Sequence, residues 1–356
     1  MKPENPASFI ASVGSATPPC AVTQEQALAL SREHYATVLQ ERSLVLLAQF
    51  LWHPSIKKRY IAVDNIAEVP LLKTESADER IARFTRWSVQ LAAQAARKAL
   101  DSAGIAACEV SSLIVNTCTG YICPGISTYL IGELGLDKGV RAFDLVGSGC
   151  GGALPNLQMG DSLVRRYGGV SLCVAVEICT ATFQMGDDPS LLVSNAIFGD
   201  GAAAAVTWDR PKGLGIVDIR GEYAPQCRDD VRYVHKNGAL HNRLTPRLPR
   251  LITTLVPPLI DRLLADNGLS RANVEHWALH PGGDKILGGL IRELALTPQQ
   301  QEASVGVLRD YGNMSSPTAL FVLERLMQQG IDKGQHCLVA AYGAGLSMHA
   351  CLLRAA

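Results

Sequence analysis

Residues 143–166 read FDLVGSGCGGALPNLQMGDSLVRR. A short apolar run, Phe143 to Val146, meets Gly147; Cys150 follows with glycine on both sides, and apolar residues then recur at helical spacing from Gly151 to Arg166. Glycine takes backbone angles that a side chain forbids, so the stretch reads as a strand turning sharply into a helix. Outward from this unit the alternation continues. Short β-branched runs predict strands at Ser8 to Ser15, Ser112 to Thr117, Ala142 to Val146, Ser171 to Glu177, Ala202 to Trp208, Leu214 to Ile219, Val274 to His280, His336 to Tyr342 and His349 to Leu353. Helical spacing predicts Thr23 to Leu51, Ile81 to Ala103, Gly151 to Arg166, Ile252 to Asn267, Asp284 to Leu294 and Ser316 to Gln329. Strands alternating with helices argue for a layered α/β fold over a sandwich or a bundle.

The second half repeats the first in outline. DSLVRRYG leading into SLCVAVEI resembles ERLMQQGI leading into HCLVAAYG, and SLIVNTCTG has a counterpart in HWALHPGG. On pattern alone this is either a true duplication or two ordinary βα units. A duplication would divide the chain into residues 1–208 and 209–356. No Gly/Ser or Pro linker stands at that boundary, so the halves are expected to share an interface. Residues Gly221 to Pro249 read as irregular and suited to covering a cleft.

Lys+Arg and Asp+Glu number 33 each, which removes the net positive field that general nucleic-acid binding needs. With 47% hydrophobic and 19% charged residues the chain has ample material for a core. The opening residues carry no long apolar segment, and no window approaches the roughly 18 apolar residues of a spanning helix, so neither secretion nor a membrane partner is expected. The 10 cysteines are scattered and form no C-x-x-C pair. That pattern predicts free thiols in a reducing cytoplasm, with no metal site.

Three residues are candidates for chemistry. Cys150 is either a small buried side chain in a tight turn or a nucleophile whose thiol the free amides and dipole of the next helix make more acidic. His280 closes the apolar run VEHWALH and precedes Pro281, Gly282 and Gly283, an address for a structural or a catalytic imidazole. Asn313, in RDYGNMSSPTAL, is either a helix cap or an amide donor. Together they suit acyl chemistry: a cysteine to carry a thioester, with His and Asn to move a proton or bind an oxyanion. Decarboxylation of a malonyl thioester fits such a donor pair. A Cys-His-Asn hydrolase would instead use the Asn to orient the His.

The contexts DLVGSGCGGALPNL, AIFGDGAAAAV, ALHPGG and YGNMSSPTALFVLERL together resemble the type III polyketide synthases, the chalcone synthase-like branch of the thiolase-fold condensing enzymes. The resemblance implies a duplicated five-layer αβαβα fold, a homodimer, and iterative condensation of malonyl-CoA onto an acyl-CoA starter without a further cofactor. It assigns Cys150 as acyl-accepting nucleophile, His280 and Asn313 as the decarboxylation and oxyanion pair, and Phe198 as an aromatic gatekeeper. Cys118, Thr119, Cys179, Thr182 and Ser315 fall at or beside cavity positions, and Cys123 where the family inserts a side chain across its dimer interface. Lys57, Lys58 and Arg59 of SIKKRY match a basic segment that would meet the CoA phosphates; His53 stands where some relatives have a further Lys, and Lys285 is a weaker candidate for the same role. A thiolate at Cys150 paired with an imidazolium at His280 is the expected resting state.

The departures bear on product. Ala344 of YGAGLS replaces a family proline, Asn242 falls where plant enzymes have a second gatekeeper ring, and the segment from Glu177 to Phe198 is slightly short. Small wall residues favour an aliphatic or malonyl starter, with closure to a pyrone, a resorcinol or a related aromatic. The competing readings are a ketoacyl synthase performing a single condensation, a catalytically silent thiolase-fold subunit, and a cysteine hydrolase.

Overall fold

The computed structural model describes residues 7–236 and 238–356. The first half runs β1 (Phe9–Ala16), β2 (Cys20–Thr23), α1 (Gln24–Tyr35), α2 (Glu41–Leu51), β3 (Lys58–Ile61), α3 (Ala77–Ala103), β4 (Val110–Asn116), α4 (Ile126–Leu134), β5 (Arg141–Leu145), α5 (Ala153–Tyr167), β6 (Val170–Glu177), α6 (Pro189–Ile197) and β7 (Gly201–Trp208). The second runs β8 (Leu214–Tyr223), β9 (Val231–Lys236), β10 (Ala239–Leu244), α7 (Leu248–Ala265), β11 (His276–Leu279), α8 (Asp284–Glu293), α9 (Pro298–Tyr311), α10 (Thr318–Gln329), β12 (His336–Gly343) and β13 (Ser347–Ala355).

Strand pairing settles the question of duplication. In the first half β4 is parallel to β6, β6 antiparallel to β7, and β7 antiparallel to β1. In the second, β11 is parallel to β12, β12 antiparallel to β13, and β13 antiparallel to β8. Order and sense are the same, with β5 added beyond β4 as an edge. The two sheets join edge to edge where β1 pairs with β8, Phe9 opposite Gly215 and Ile10 opposite Leu214.

Three apolar clusters define five layers. Phe84, Trp87, Leu91 and the alanines of α3 pack on the outer face of the first sheet against Leu113, Val174 and Ala204. Leu154 and Leu157 of α5, with Leu320 and Leu323 of α10, lie between the sheets, meeting Ile114 and Ala205 on one side and Val339 and Cys351 on the other. Leu259 and Leu263 of α7 and Leu287 of α8 cover the outer face of the second sheet at Leu338 and Leu352. Each large side chain so buried contributes about 1.5–3 kcal/mol. Close approach of helix to sheet needs small residues: a Cβ on Gly14 would lie 2.5 Å from Ala99 N.

Three local expectations are corrected. The predicted helix from Thr23 to Leu51 is a helical hairpin, because folding α1 back on α2 lets Leu28, Tyr35, Leu39, Leu47 and Leu51 share one apolar cluster. Gln40 N at the start of α2 donates to Asp187 Oδ1 at 2.9 Å. Helix α3 starts at Ala77 rather than Ile81, since Ser76 and Glu79 form a reciprocal cap. The segment read as irregular holds a hairpin, β9 with β10. Among the described residues no helix is long and apolar enough to cross a membrane.

Candidate active site

Cys150 sits in a single helical turn, Gly149–Gly151, between β5 and α5. Gly147 and Gly149 take φ of +94° and +53°, angles that turn the chain from sheet to helix. The C-terminal half packs directly onto this turn: a Cβ at Gly343 would lie 2.8 Å from Cys150 N. Glycine at the end of β12 therefore permits the two halves to meet at the thiol. Ser315 and Asn313 hydrogen-bond to that thiol and stabilise its charged form, but desolvation outweighs them and, with the nearby Glu177 carboxylate, pushes it up to about 11.

His280 follows β11, anchored by its backbone N–H to Ala340 O at 2.8 Å, and is 1% exposed. Tyr342 presents its ring edge-to-face at 5.3 Å and donates its hydroxyl to the His280 carbonyl at 2.6 Å. Among the described residues neither imidazole nitrogen has a hydrogen-bond partner. Burial alone drives the imidazole down to about 3, so the ring is neutral at ordinary pH. Against the expected thiolate–imidazolium pair, the two groups share no hydrogen bond among the described residues, and burial favours the neutral form of each.

Asn313 is held at four atoms. Its N–H donates to Ile197 O at 2.9 Å and its carbonyl accepts from Gly199 N at 3.0 Å. Its side-chain Oδ1 accepts from Ser315 N at 2.7 Å, and Nδ2 donates to Gly282 O at 3.1 Å. The Ser315 amide can only donate, which fixes the side-chain orientation and leaves the second Nδ2 N–H for the Cys150 thiol. Asn313 therefore grips the turn after His280 and leaves its ring alone. Ser315 has φ +62°, a left-handed conformation that costs a non-glycine residue free energy and sets its Oγ 3.6 Å from Cys118 Sγ.

Two residues were not singled out from the sequence. Glu177, at the end of β6 and 0% exposed, accepts from Cys118 N at 2.9 Å, Thr119 Oγ1 at 2.8 Å, Thr117 Oγ1 at 3.2 Å and Ser316 Oγ at 2.6 Å. It ties the loop after β4 to the Asn313 segment; a carboxylate closing the apolar run LCVAV was the available signal. Tyr233 of β9 hydrogen-bonds Thr182 and neighbours Cys118 and Cys179, and burial raises its phenol well above the ordinary value. It lay in the segment read as irregular.

The remaining candidates separate into groups. Cys179, Thr182, Phe198 and Asn242 line a cavity of about 850 Å³, counting its open mouth, with Leu30, Leu47, Leu51, Val69 and Leu191 among the other walls. Phe198 also pairs through its backbone with Asn313, so it links that cavity to the reactive residues. Cys118 lies beside Ser315, and Thr119 accepts from Ile178 N at 2.9 Å. Cys123 is exposed. Lys57 is exposed and Lys58 lies 5.3 Å over the Tyr60 ring. Arg59 departs from the expectation of a cation facing phosphate: successive residues of β3 face opposite sides, and Arg59 points inward at 5% exposure. His53 stands 3.5 Å from Asp284.

Residues 2–211 match the family model described as chalcone and stilbene synthases, N-terminal domain, and residues 219–356 the corresponding C-terminal domain. The chain belongs to the chalcone and stilbene synthase family. As a type III polyketide synthase it is an acyltransferase of the condensing type, and the single-condensation ketoacyl synthase reading is set aside because both halves match this family. It is 31% identical over 314 residues to an alpha-pyrone synthesis polyketide synthase-like protein of Mycobacterium tuberculosis, covering 83% of this chain and 79% of that one. It is 29% identical over 334 residues to the 1,3,6,8-tetrahydroxynaphthalene synthase of Streptomyces coelicolor, covering 92% and 86%. The crystal structure of PKS-I from the brown alga Ectocarpus siliculosus superposes with a TM-score of 0.92 at 27% identity, over 100% of both chains. That agreement identifies the five layers as the thiolase-like fold.

Proposed function

We propose that this type III polyketide synthase loads an aliphatic acyl group, or malonyl itself, from CoA onto Cys150, extends it repeatedly with malonyl-CoA, and closes the chain to a pyrone, resorcinol or related aromatic. The observation that carries the reading is the separation of His280 from Asn313. A hydrolase needs the Asn to orient the imidazole; here the Asn313 amide goes to Gly282 O and both imidazole nitrogens stay free. An unpaired imidazole, with an amide N–H held only by the thiol, suits an enolate oxygen.

Loading begins as Cys150 passes its proton to His280 while Sγ adds to the docked thioester carbonyl. The CoA thiolate leaves and takes that proton back, so no net charge is left in the desolvated site. Malonyl-CoA then loses carbon dioxide, and the electron pair of the broken C–C bond moves onto the thioester as an enolate. The Asn313 N–H that faces the thiol and the neutral His280 N–H hydrogen-bond its oxygen. The enolate carbon attacks the acyl-Cys150 carbonyl, and Cys150 departs as thiolate, ready to accept the lengthened chain.

The aliphatic wall residues Leu30, Leu47, Leu51 and Leu191 support an alkyl starter. Edge strand β5, with the exposed Tyr121 and Val146 in the loops after β4 and β5, supports a homodimer. Lys57 and Lys58 remain the cations offered to CoA phosphates. The test is incubation with labelled malonyl-CoA, alone and with acyl-CoA starters of graded length, with products identified by mass. Products carrying several acetate units are expected; free acid without extension would defeat the reading.

A further inference from the structure

The four carbonyl groups at the C-terminus of α6 are all taken, by three donors. Asn195 O accepts from Arg59 Nη1 at 2.6 Å, Ala196 O from Gln24 Nε2 at 3.1 Å, Ile197 O from Asn313 N at 2.9 Å, and Phe198 O from Arg59 Nη1 at 2.9 Å. Gln24 Oε1 in turn accepts from Arg59 Nε at 3.0 Å. The aliphatic stem of Arg59 passes under the other side of the bridge: a Cβ on Gly312, the residue before Asn313, would lie 2.7 Å from Arg59 Cγ. Arg59 thus touches both segments of the Phe198–Asn313 bridge, one by hydrogen bonds and one by packing.

We propose that Arg59 is a positioning residue of the condensing site, holding residues 195–199 in the one register that sets the Asn313 amide for the enolate and the Phe198 ring against the cavity. The inference rests on the function proposed above. Helix carbonyls at a C-terminus carry partial negative charge and lack intrahelical donors, so a cation there is favourable. Burying a guanidinium is costly, and this one meets three oxygen acceptors while Asp200 is occupied elsewhere, by Thr180 and Ala62. Desolvation lowers it to about 10, opposed by Asp200, so it stays charged at neutral pH. A lysine there has no planar fork with which to hold Gln24 and two carbonyls together.

The test separates two half-reactions in the full-length enzyme. Starter loading on Cys150 is read by intact mass, and malonyl-CoA decarboxylation by release of labelled carbon dioxide, with kcat and KM determined separately. Arg59→Gln is expected to lower the decarboxylation kcat about 100-fold, the effect of an ångström-scale misplacement, with loading within about threefold of wild type. Arg59→Lys should lose about tenfold, keeping charge and one contact. Gln24→Met, which removes the partner of Nε and the donor to Ala196, should move the same ratio in the same direction and decides the matter if the Arg59 variants do not fold. A fall in loading and decarboxylation by equal factors, or an unchanged decarboxylation kcat, would overturn the assignment. Wild-type extension of a starter, scored first, tests the functional reading independently of that ratio.

Discussion

Corresponding strand ends in the two halves meet at one site but treat their polar atoms in opposite ways. Beyond β4 and at the end of β6, Glu177 accepts four hydrogen bonds, and Asn116 donates to Ser316 Oγ at 2.8 Å and accepts from Asn156 at 2.9 Å. Beyond β11 and near the end of β12, Tyr342 bonds the His280 backbone, and the imidazole nitrogens of His280 have no partner among the described residues. The first copy of the topology is a scaffold that holds the loop carrying Cys118 and the serines after Asn313. The second presents an imidazole with nothing yet to donate to. An unmet buried donor costs roughly 1–3 kcal/mol, and that cost is recovered when a substrate oxygen arrives.

The largest effect should come from the thiol. Cys150→Ala is expected to abolish extension while malonyl-CoA decarboxylation continues, because His280 and Asn313 are untouched. Product mass and carbon dioxide release, measured together, check this. Extension at the wild-type rate would remove Cys150 from the mechanism and dissolve the contrast between a half that carries the acyl group and a half that stabilises charge. Next in size, Asn313→Ala should reduce the decarboxylation kcat by about 10²–10³, the usual loss for one oxyanion donor, with Cys150 still accepting a starter. An unchanged decarboxylation rate would leave the second half without its proposed role.

The resting charge state gives a smaller and sharper test. With the thiol pushed up to about 11 and the imidazole down to about 3, alkylation of Cys150 by iodoacetamide in the free enzyme should rise about tenfold per pH unit from 7 to 10. A plateau below pH 7, followed by intact mass, would mean that a thiolate–imidazolium pair is present before substrate binds.

Much of this was legible in the chain. The glycines around Cys150 and the HPGG run marked where two strands end, while the likeness of DSLVRRYG to ERLMQQGI left open the duplication that the strand pairing shows. What was hidden depended on facing. Arg59 reads as one of three basic residues in SIKKRY, and only its position in β3 turns it inward. The α1–α2 break has no glycine or proline to announce it; it follows from an apolar cluster shared by both helices. Tyr233 sits among charges in VRYVHK, a weak strand signal until β10 pairs with it. The desolvation at Cys150 was hidden for a related reason: a helix N-terminus can be read from sequence, but burial beneath the other half cannot.

The smallest effect is thermodynamic and concerns a second unpaired ring in the same half. His349, on β13 and 3% exposed, also has both ring nitrogens without a partner among the described residues, and burial lowers it to about 4. The folded chain therefore keeps both imidazoles neutral where the unfolded chain, near 6.5, takes up protons. Stability from these groups is complete above about pH 6.5 and is lost as pH falls, until about pH 4 for His349 and about pH 3 for His280. Each contributes a slope of up to about 1.4 kcal/mol per pH unit within its window. His349→Leu should leave condensation intact and flatten the dependence of urea-unfolding stability on pH between 6.5 and 4 by up to that amount. If the slope were unchanged, His349 would be reaching water or a partner, and the unpaired imidazole would be a feature of the reacting residue His280 alone rather than of the half that carries it.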